Sequence, residues 1–76
     1  MNEVFEKIKA ITAEQTGYDA GKITMETRFQ QDIQADSLDL FQIINDIEDA
    51  YDLKIENAEA IVSVANAVQF VEAHRA

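Results

Sequence analysis

Ala35-Asp36-Ser37-Leu38-Asp39-Leu40 marks the start of the most clearly defined helix in this chain. Asp36 is a preferred residue for capping a helix N-terminus, and Asp39 places a second carboxylate in the first turn, where the helix dipole favours it. Apolar side chains then recur at helical spacing, which predicts a helix from Ser37 to Ala50 or Tyr51. Its core face contains Leu40, Ile43, Ile44, Ile47 and Tyr51 with Phe41 at the edge, and its polar face contains Asp39, Gln42, Asn45, Asp46 and Asp49.

Shorter patterns on either side predict the remaining helices. A first helix runs from Asn2 or Glu3 to Thr16, and Gly17 is placed to end it in the left-handed conformation. A last helix runs from Val64 to about His74, with Ser63 as its N-cap, and His74 and Arg75 are near its C-terminus, where positive charge is favourable. The apolar positions of the two helices are Val4, Phe5, Ile8 and Ile11 in the first, and Val64, Ala67, Val68 and Val71 in the last.

The connections complete the fold prediction. Residues 18 to 35 form a long loop, which Ile23, Met25, Phe29 and Ile33 pin to the helices, with a short helical turn near Thr27 to Gln31. After the second helix, Leu53 and Ile55 turn inward, and a short third helix spans about Asn57 to Ile61. The predicted fold is all-α: a small antiparallel bundle of three main helices plus a short third helix, forming a single domain over residues 1–76.

Composition excludes several classes of function. The net charge of −9 argues against binding nucleic acid and favours basic protein partners or cations. Residues 30–53 hold seven acids and no lysine or arginine, which is either a partner surface or an ordinary solvated face. The absence of cysteine excludes disulfides and thiolate metal sites. With no apolar run long enough to span a membrane and no secretory signal, we expect a soluble intracellular protein.

No catalytic arrangement is visible. The one histidine, His74, is two residues from the C-terminus, and there is no glycine-rich phosphate loop or zinc-protease motif. An EF-hand is rejected because the ligand spacing and central glycine are missing. We therefore predict a non-catalytic protein without a defined metal site. Weak divalent binding by Asp36 with Asp39, or by Glu48 with Asp52, is left open.

Two residues in the first turn, Ser37 and Leu38, have no role in capping the helix or in forming its core face. Because Asp36 already serves as the cap, the hydroxyl of Ser37 is available, and the amides and dipole at a helix N-terminus stabilise an attached phosphate. Leu38 falls on the polar face among carboxylates, which is either the arrangement of a small protein-docking surface with an apolar anchor or the ordinary exposure of a single leucine.

The ordered pattern resembles the acyl carrier proteins of bacterial dissociated fatty acid synthesis. Asp-Ser-Leu alone is a weak signal, but the similarity covers the whole chain. It includes Val4 and Ile8, Ile23 and Phe29, Asp32-x-x-Ala35-Asp36-Ser37-Leu38-Asp39, the helix through Glu48 to Tyr51, Ile55, and Ala58-Glu59-x-Ile61-x-Ser63-Val64.

The resemblance implies a function and a set of site residues. Ser37 would carry 4′-phosphopantetheine, transferred from coenzyme A by a holo-synthase, and the thiol of that arm would hold growing acyl chains as thioesters. The docking surface carried over from the family comprises Asp36, Leu38, Asp39 and Glu48, to which the pattern of this chain adds Asp46 and Asp49. Phe41, Ile44 and Ile61 would line the space for the acyl chain. The implied protein is a cytoplasmic monomer that meets fatty acid synthesis enzymes through their basic patches.

The sequence departs from the family pattern near the docking surface. Gln34 replaces a glycine, Phe41 a valine, Gln42 a glutamate and Asn45 a methionine, while Glu56-Asn57 replaces a proline-acid pair and the segment before Ala58 is about two residues shorter. Gln42 and Asn45 are retained as docking residues at which partner choice differs. The alternatives are a specialised carrier (polyketide, aminoacyl or D-alanyl) and an acidic interaction module without a prosthetic group.

Overall fold

Residues 3–56 and 58–74 are described by a computed structural model, and they form three α-helices and two short 3₁₀ helices. The α-helices are Glu3–Thr16 (α1), Ser37–Tyr51 (α2) and Val64–His74 (α3). The 3₁₀ helices are Ala20–Lys22 and Ala58–Ala60. The predicted all-α fold with a long connection between its first two helices is confirmed.

Local capping explains where the helices begin and end. Gly17 has φ of +74° and donates its N–H to the carbonyl of Ala13 at 2.8 Å, so it ends α1 as predicted. The Ser63 hydroxyl accepts from the N–H of Asn66 at 3.2 Å, which confirms the predicted cap of α3. The short helix predicted over Asn57 to Ile61 is observed as Ala58–Ala60. Asn2, Asn57 and Arg75 lie outside the described residues.

The long connection packs down as its apolar residues predicted. Ile23 and Phe29 are buried, and Met25 and Ile33 pack against the core. The turn predicted near Thr27 is a single turn, closed by the Asp32 N–H on the Arg28 carbonyl at 2.9 Å. The prediction missed the 3₁₀ helix Ala20–Lys22, which is capped by the side chain of Asp19.

The core leaves one face of α2 uncovered. Helix α1 packs against both α2 and α3. Ile43, Ile44 and Ile47 of α2 are buried, each stabilising the fold by roughly 1.5–3 kcal/mol, while Leu40 and Tyr51 are half-buried at its edge. The residues on the opposite face of α2 are the ones that can meet another molecule.

Candidate functional site

Ser37 is an exposed residue in the first turn of α2. The carboxylate of Asp36 accepts from the N–H of Asp39 at 2.9 Å, and the Asp36 carbonyl accepts from the N–H of Leu40 at 3.0 Å. Asp36 is therefore the N-cap, as predicted. Since the cap is already provided, the Ser37 hydroxyl is not required to hold the helix end.

The backbone leading to Ser37 is fixed from both sides. Ala35 is buried, and its N–H donates to the carbonyl of Phe29 at 2.9 Å. Gln34 has φ of +64°, a left-handed conformation that favours glycine. The backbone therefore turns sharply at Gln34 just before α2, and the hydrogen bond of Ala35 fixes the position at which the helix begins.

An open cavity of about 380 Å³ lies beside Ser37. It is lined by Gln30, Ser37, Leu40, Phe41, Ile44, Glu59, Ile61 and Val62. All three residues predicted for the acyl space, Phe41, Ile44 and Ile61, line this cavity together with Ser37. Sequence reasoning missed Gln30, Glu59 and Val62, because they come from other segments of the chain. Leu40 packs against the core, as predicted, and it also lines the cavity, which its place three residues after Ser37 could have indicated.

The predicted docking residues differ in their exposure to solvent. Leu38 is 64% exposed, which confirms its outward position. Asp39, Asp46 and Glu48 are half-buried. The exposed members of the predicted surface are Asp36, Leu38, Gln42, Asn45 and Asp49.

Two of the half-buried carboxylates hold the fold together. Asp46 accepts a hydrogen bond from the Nε2 of Gln15 at 2.6 Å, which joins α2 to α1. Glu48 accepts from the backbone N–H of Ile55 at 2.7 Å, which fixes the chain after α2. Hydrogen bonds to an ionised group are stronger than neutral ones, so both carboxylates contribute to stability.

Over residues 3–56 and 58–74, there is no group of three or more histidine or acidic side chains placed to hold a metal ion. Among the same residues no helix is long and apolar enough to cross a bilayer.

Comparison with known proteins identifies the family. The family model described as the phosphopantetheine attachment site matches residues 6–72. The chain is 48% identical over 69 residues to the acyl carrier protein of Streptococcus pneumoniae, a match that covers 91% of this chain and 92% of the relative. Over the same length it is 46% identical to that of Streptococcus pyogenes, again 91% of this chain and 92% of the relative. It is 45% identical to that of Lactococcus lactis, covering 91% of this chain and 93% of the relative. This chain belongs to the phosphopantetheine-attachment family.

A solved structure supports the fold independently. The apo doublet acyl carrier protein from prodigiosin biosynthesis superposes with a TM-score of 0.82 at 17% identity. The match covers 92% of this chain but 35% of that longer one. At this level of identity the likeness concerns the fold alone.

Proposed function

We propose that this protein carries acyl groups as thioesters on 4′-phosphopantetheine joined to Ser37 through a phosphodiester. The chain is an acyl carrier protein of fatty acid synthesis, and its prosthetic group supplies the thiol that its own residues lack. It presents growing fatty acyl chains to the enzymes of that synthesis. Residues 1–76 act as one carrier domain without catalytic activity of its own, as a monomer in the cytoplasm.

The observation that best supports Ser37 as the attachment site is that Ser37 lies in the first turn of α2 and also lines the cavity. It is exposed in the first turn of α2, where amides and dipole favour a phosphate, and it lines the cavity that contains Phe41, Ile44 and Ile61. A group attached here starts beside a cavity of about 380 Å³, and the apolar part of its lining would shelter an acyl chain. This cavity also favours an acyl carrier over an acidic module without a prosthetic group.

The net charge supports the proposed kind of partner. A charge of −9 attracts enzymes with basic surfaces, accelerates their encounter and disfavours nucleic acid. The proposed docking surface consists of the exposed Asp36, Leu38, Gln42, Asn45 and Asp49, with Asp39, Asp46 and Glu48 contributing from half-buried positions.

The two serines of the chain provide a matched test of Ser37. After incubation with a phosphopantetheinyl transferase and coenzyme A, mass spectrometry should show one phosphopantetheine on the wild type and none on Ser37→Ala. Ser63→Asn removes the other serine hydroxyl but keeps a capping side chain, and should be modified fully. An unmodified wild-type protein of native circular dichroism would refute the proposal, as would modification of the Ser37→Ala variant.

A further inference from the structure

Ile61 and Val62, which we call the wall segment, line the cavity beside Ser37 from the stretch that precedes α3. The two residues are held in different ways. Ile61 is buried in the core, so packing fixes its side chain. Val62 is 50% exposed, and packing constrains it on one side only. The position of Val62 therefore depends on the hydrogen bonds of its backbone.

The carbonyl of Val62 is joined to the long connection between α1 and α2. It accepts from the N–H of Phe29 at 3.0 Å. Phe29 is fully buried, and its own carbonyl accepts from the N–H of Ala35, two residues before Ser37. The wall segment and the attachment residue are therefore anchored to the same buried residue.

The N–H of Val62 is held by the side chain of Asn66. The Oδ1 of Asn66 accepts from the N–H of Val62 and from the N–H of Ser63, both at 3.1 Å. A carboxamide oxygen has two lone pairs, so it accepts both hydrogen bonds at once. In return, the hydroxyl of Ser63 accepts from the backbone N–H of Asn66 at 3.2 Å. The reciprocal pair formed by Ser63 and Asn66 has the geometry of a capping box at the start of α3.

A capping box accounts for only one of the two hydrogen bonds that the Asn66 side chain accepts. The box pairs the side chain with the N–H of the N-cap residue, which is Ser63. The bond from Val62 lies one residue earlier, outside α3, and its N–H is not one of the unpaired amides of the helix. Asn66 is not among the residues that line the cavity. It can therefore affect the cavity only through the wall segment.

A fixed Val62 matters because the cavity has a second exposed apolar side chain. Phe41 lines the same cavity from α2 and is 61% exposed. An acyl chain lying between Phe41 and Val62 would remove apolar surface of both side chains from water, which favours the enclosed chain. A wall that is already held in place loses little conformational freedom when the chain enters. A wall that moves away would admit water to the chain.

We propose that Asn66 is a positioning residue of the cavity: it holds Val62 in the wall and so determines how well an acyl chain is shielded from water. This inference rests on the proposed carrier function. Because Asn66 acts through its Oδ1, another side chain of the same length with an acceptor oxygen should replace it. Asn66→Asp keeps such an oxygen, whereas Asn66→Ala removes it.

The apo protein tests the positioning itself, because the hydrogen bonds do not involve a prosthetic group. Amide hydrogen exchange of Val62 would be measured by NMR. Asn66→Ala should raise its rate roughly tenfold, and Asn66→Asp should stay within about threefold of the wild type. Ser63→Ala is the matched control, because it removes the capping hydroxyl but leaves both backbone donors and the Asn66 Oδ1. Its exchange at Val62 should also stay within about threefold of the wild type.

The loaded carrier tests the consequence for the acyl chain. The same four proteins would carry an octanoyl thioester, and its cleavage by hydroxylamine would be followed by mass spectrometry. Asn66→Ala should be cleaved roughly fivefold faster than the wild type, with Asn66→Asp and Ser63→Ala within about twofold of it. An acetyl thioester is too short to fill the cavity, so all four proteins should lose it at equal rates. Melting curves would show that each protein is folded at the temperature of the assay.

The outcomes separate this inference from the carrier function. Equal cleavage of the octanoyl thioester in Asn66→Ala and the wild type would refute the positioning role. Equal acceleration by Ser63→Ala would do the same, because Asn66 would then be only a part of the helix cap. Failure of Asn66→Asp to restore slow exchange would refute the hydrogen bond as the cause. If the wild type loses octanoyl as fast as acetyl, the cavity does not shelter the chain. If the wild type is not modified at Ser37, the carrier function itself fails.

Discussion

The two halves of α2 share one apolar periodicity in the sequence but have different surroundings in the structure. The first half exposes Leu38 and Phe41 beside Ser37. In the second half, Asp46 and Glu48 are half-buried and hydrogen-bonded to Gln15 and to the backbone of Ile55. At the second half of α2, a partner therefore meets fewer exposed carboxylates than the number of acids in the sequence suggests. At the first half, the helix exposes more apolar surface than an acidic sequence suggests.

This difference separates two energetic roles within one helix. Removing an exposed side chain of the first half, such as Leu38, is expected to change association and not folding, because that side chain lies mostly in solvent. Removing a hydrogen-bonded carboxylate from the second half leaves a backbone or amide donor without its acceptor, which changes the free energy of unfolding. Substitutions along α2 can therefore test where one role gives way to the other.

The largest stability effect is expected at Glu48. Glu48→Ala leaves the N–H of Ile55 without its acceptor at 2.7 Å, in a part-buried position. We expect the free energy of unfolding to fall by about 1–3 kcal/mol, measured by urea titration.

Asp49→Ala is the matched control for Glu48→Ala. It removes an adjacent carboxylate that is exposed, so its effect should stay within about 0.5 kcal/mol. Equal stability of the two variants would mean that the Glu48 hydrogen bond does not hold the chain after α2.

A smaller effect is expected where α2 meets α1, at the 2.6 Å hydrogen bond between Gln15 and Asp46. A double-mutant cycle of Gln15→Ala and Asp46→Ala in urea should give a coupling energy of about 1 kcal/mol. The cycle removes the general effect of deleting one negative charge from an acidic protein. The same cycle with Asp49→Ala in place of Asp46→Ala should show no coupling. A coupling energy near zero between Gln15 and Asp46 would mean that their hydrogen bond does not stabilise the fold and that Asp46 behaves like an exposed carboxylate.

The helix bounds could be predicted because their signals are local. Asp36, Ser63 and Gly17 act on amides or carbonyls within four residues of themselves, and the apolar spacing identifies the buried face. The bounds Ser37 to Tyr51 and Val64 to His74 follow from such signals. The exposed position of Leu38 follows from the same helical geometry.

The roles of Asp46 and Glu48 could not be predicted because their partners are distant or lie in a connection. Gln15 is 31 residues from Asp46, and Ile55 follows the end of α2 by several residues. Nothing in the spacing distinguishes these two acids from the exposed Asp49. The cavity presents the same difficulty, because Val62 joins Phe41 only through the tertiary fold. Residues contributed by a second segment are the part of a site that helical periodicity cannot reveal.

A residue in the left-handed conformation lies at each end of α2, and the two residues differ in how readily they adopt that conformation. Asp52 ends the helix with φ of +52° and ψ of +50°, and aspartate is one of the few residues other than glycine that adopt this conformation readily. Gln34, just before the helix, has φ of +64° without that advantage. Its side chain is exposed, so the fold does not need it for packing. Strain is therefore expected at the entry to α2 and not at its exit.

The smallest effect tests that strain. Gln34→Gly should relieve about 1–2 kcal/mol of left-handed strain and lose about 0.5–1 kcal/mol through the greater freedom of the unfolded chain. A net gain in the free energy of unfolding of about 0.5 kcal/mol is expected. Gln31→Gly, at an exposed turn residue without positive φ, should lose about 0.5 kcal/mol in the same urea titration. If Gln34→Gly is also destabilising, the glutamine side chain stabilises its own turn, and the strain assigned to the entry of α2 is wrong.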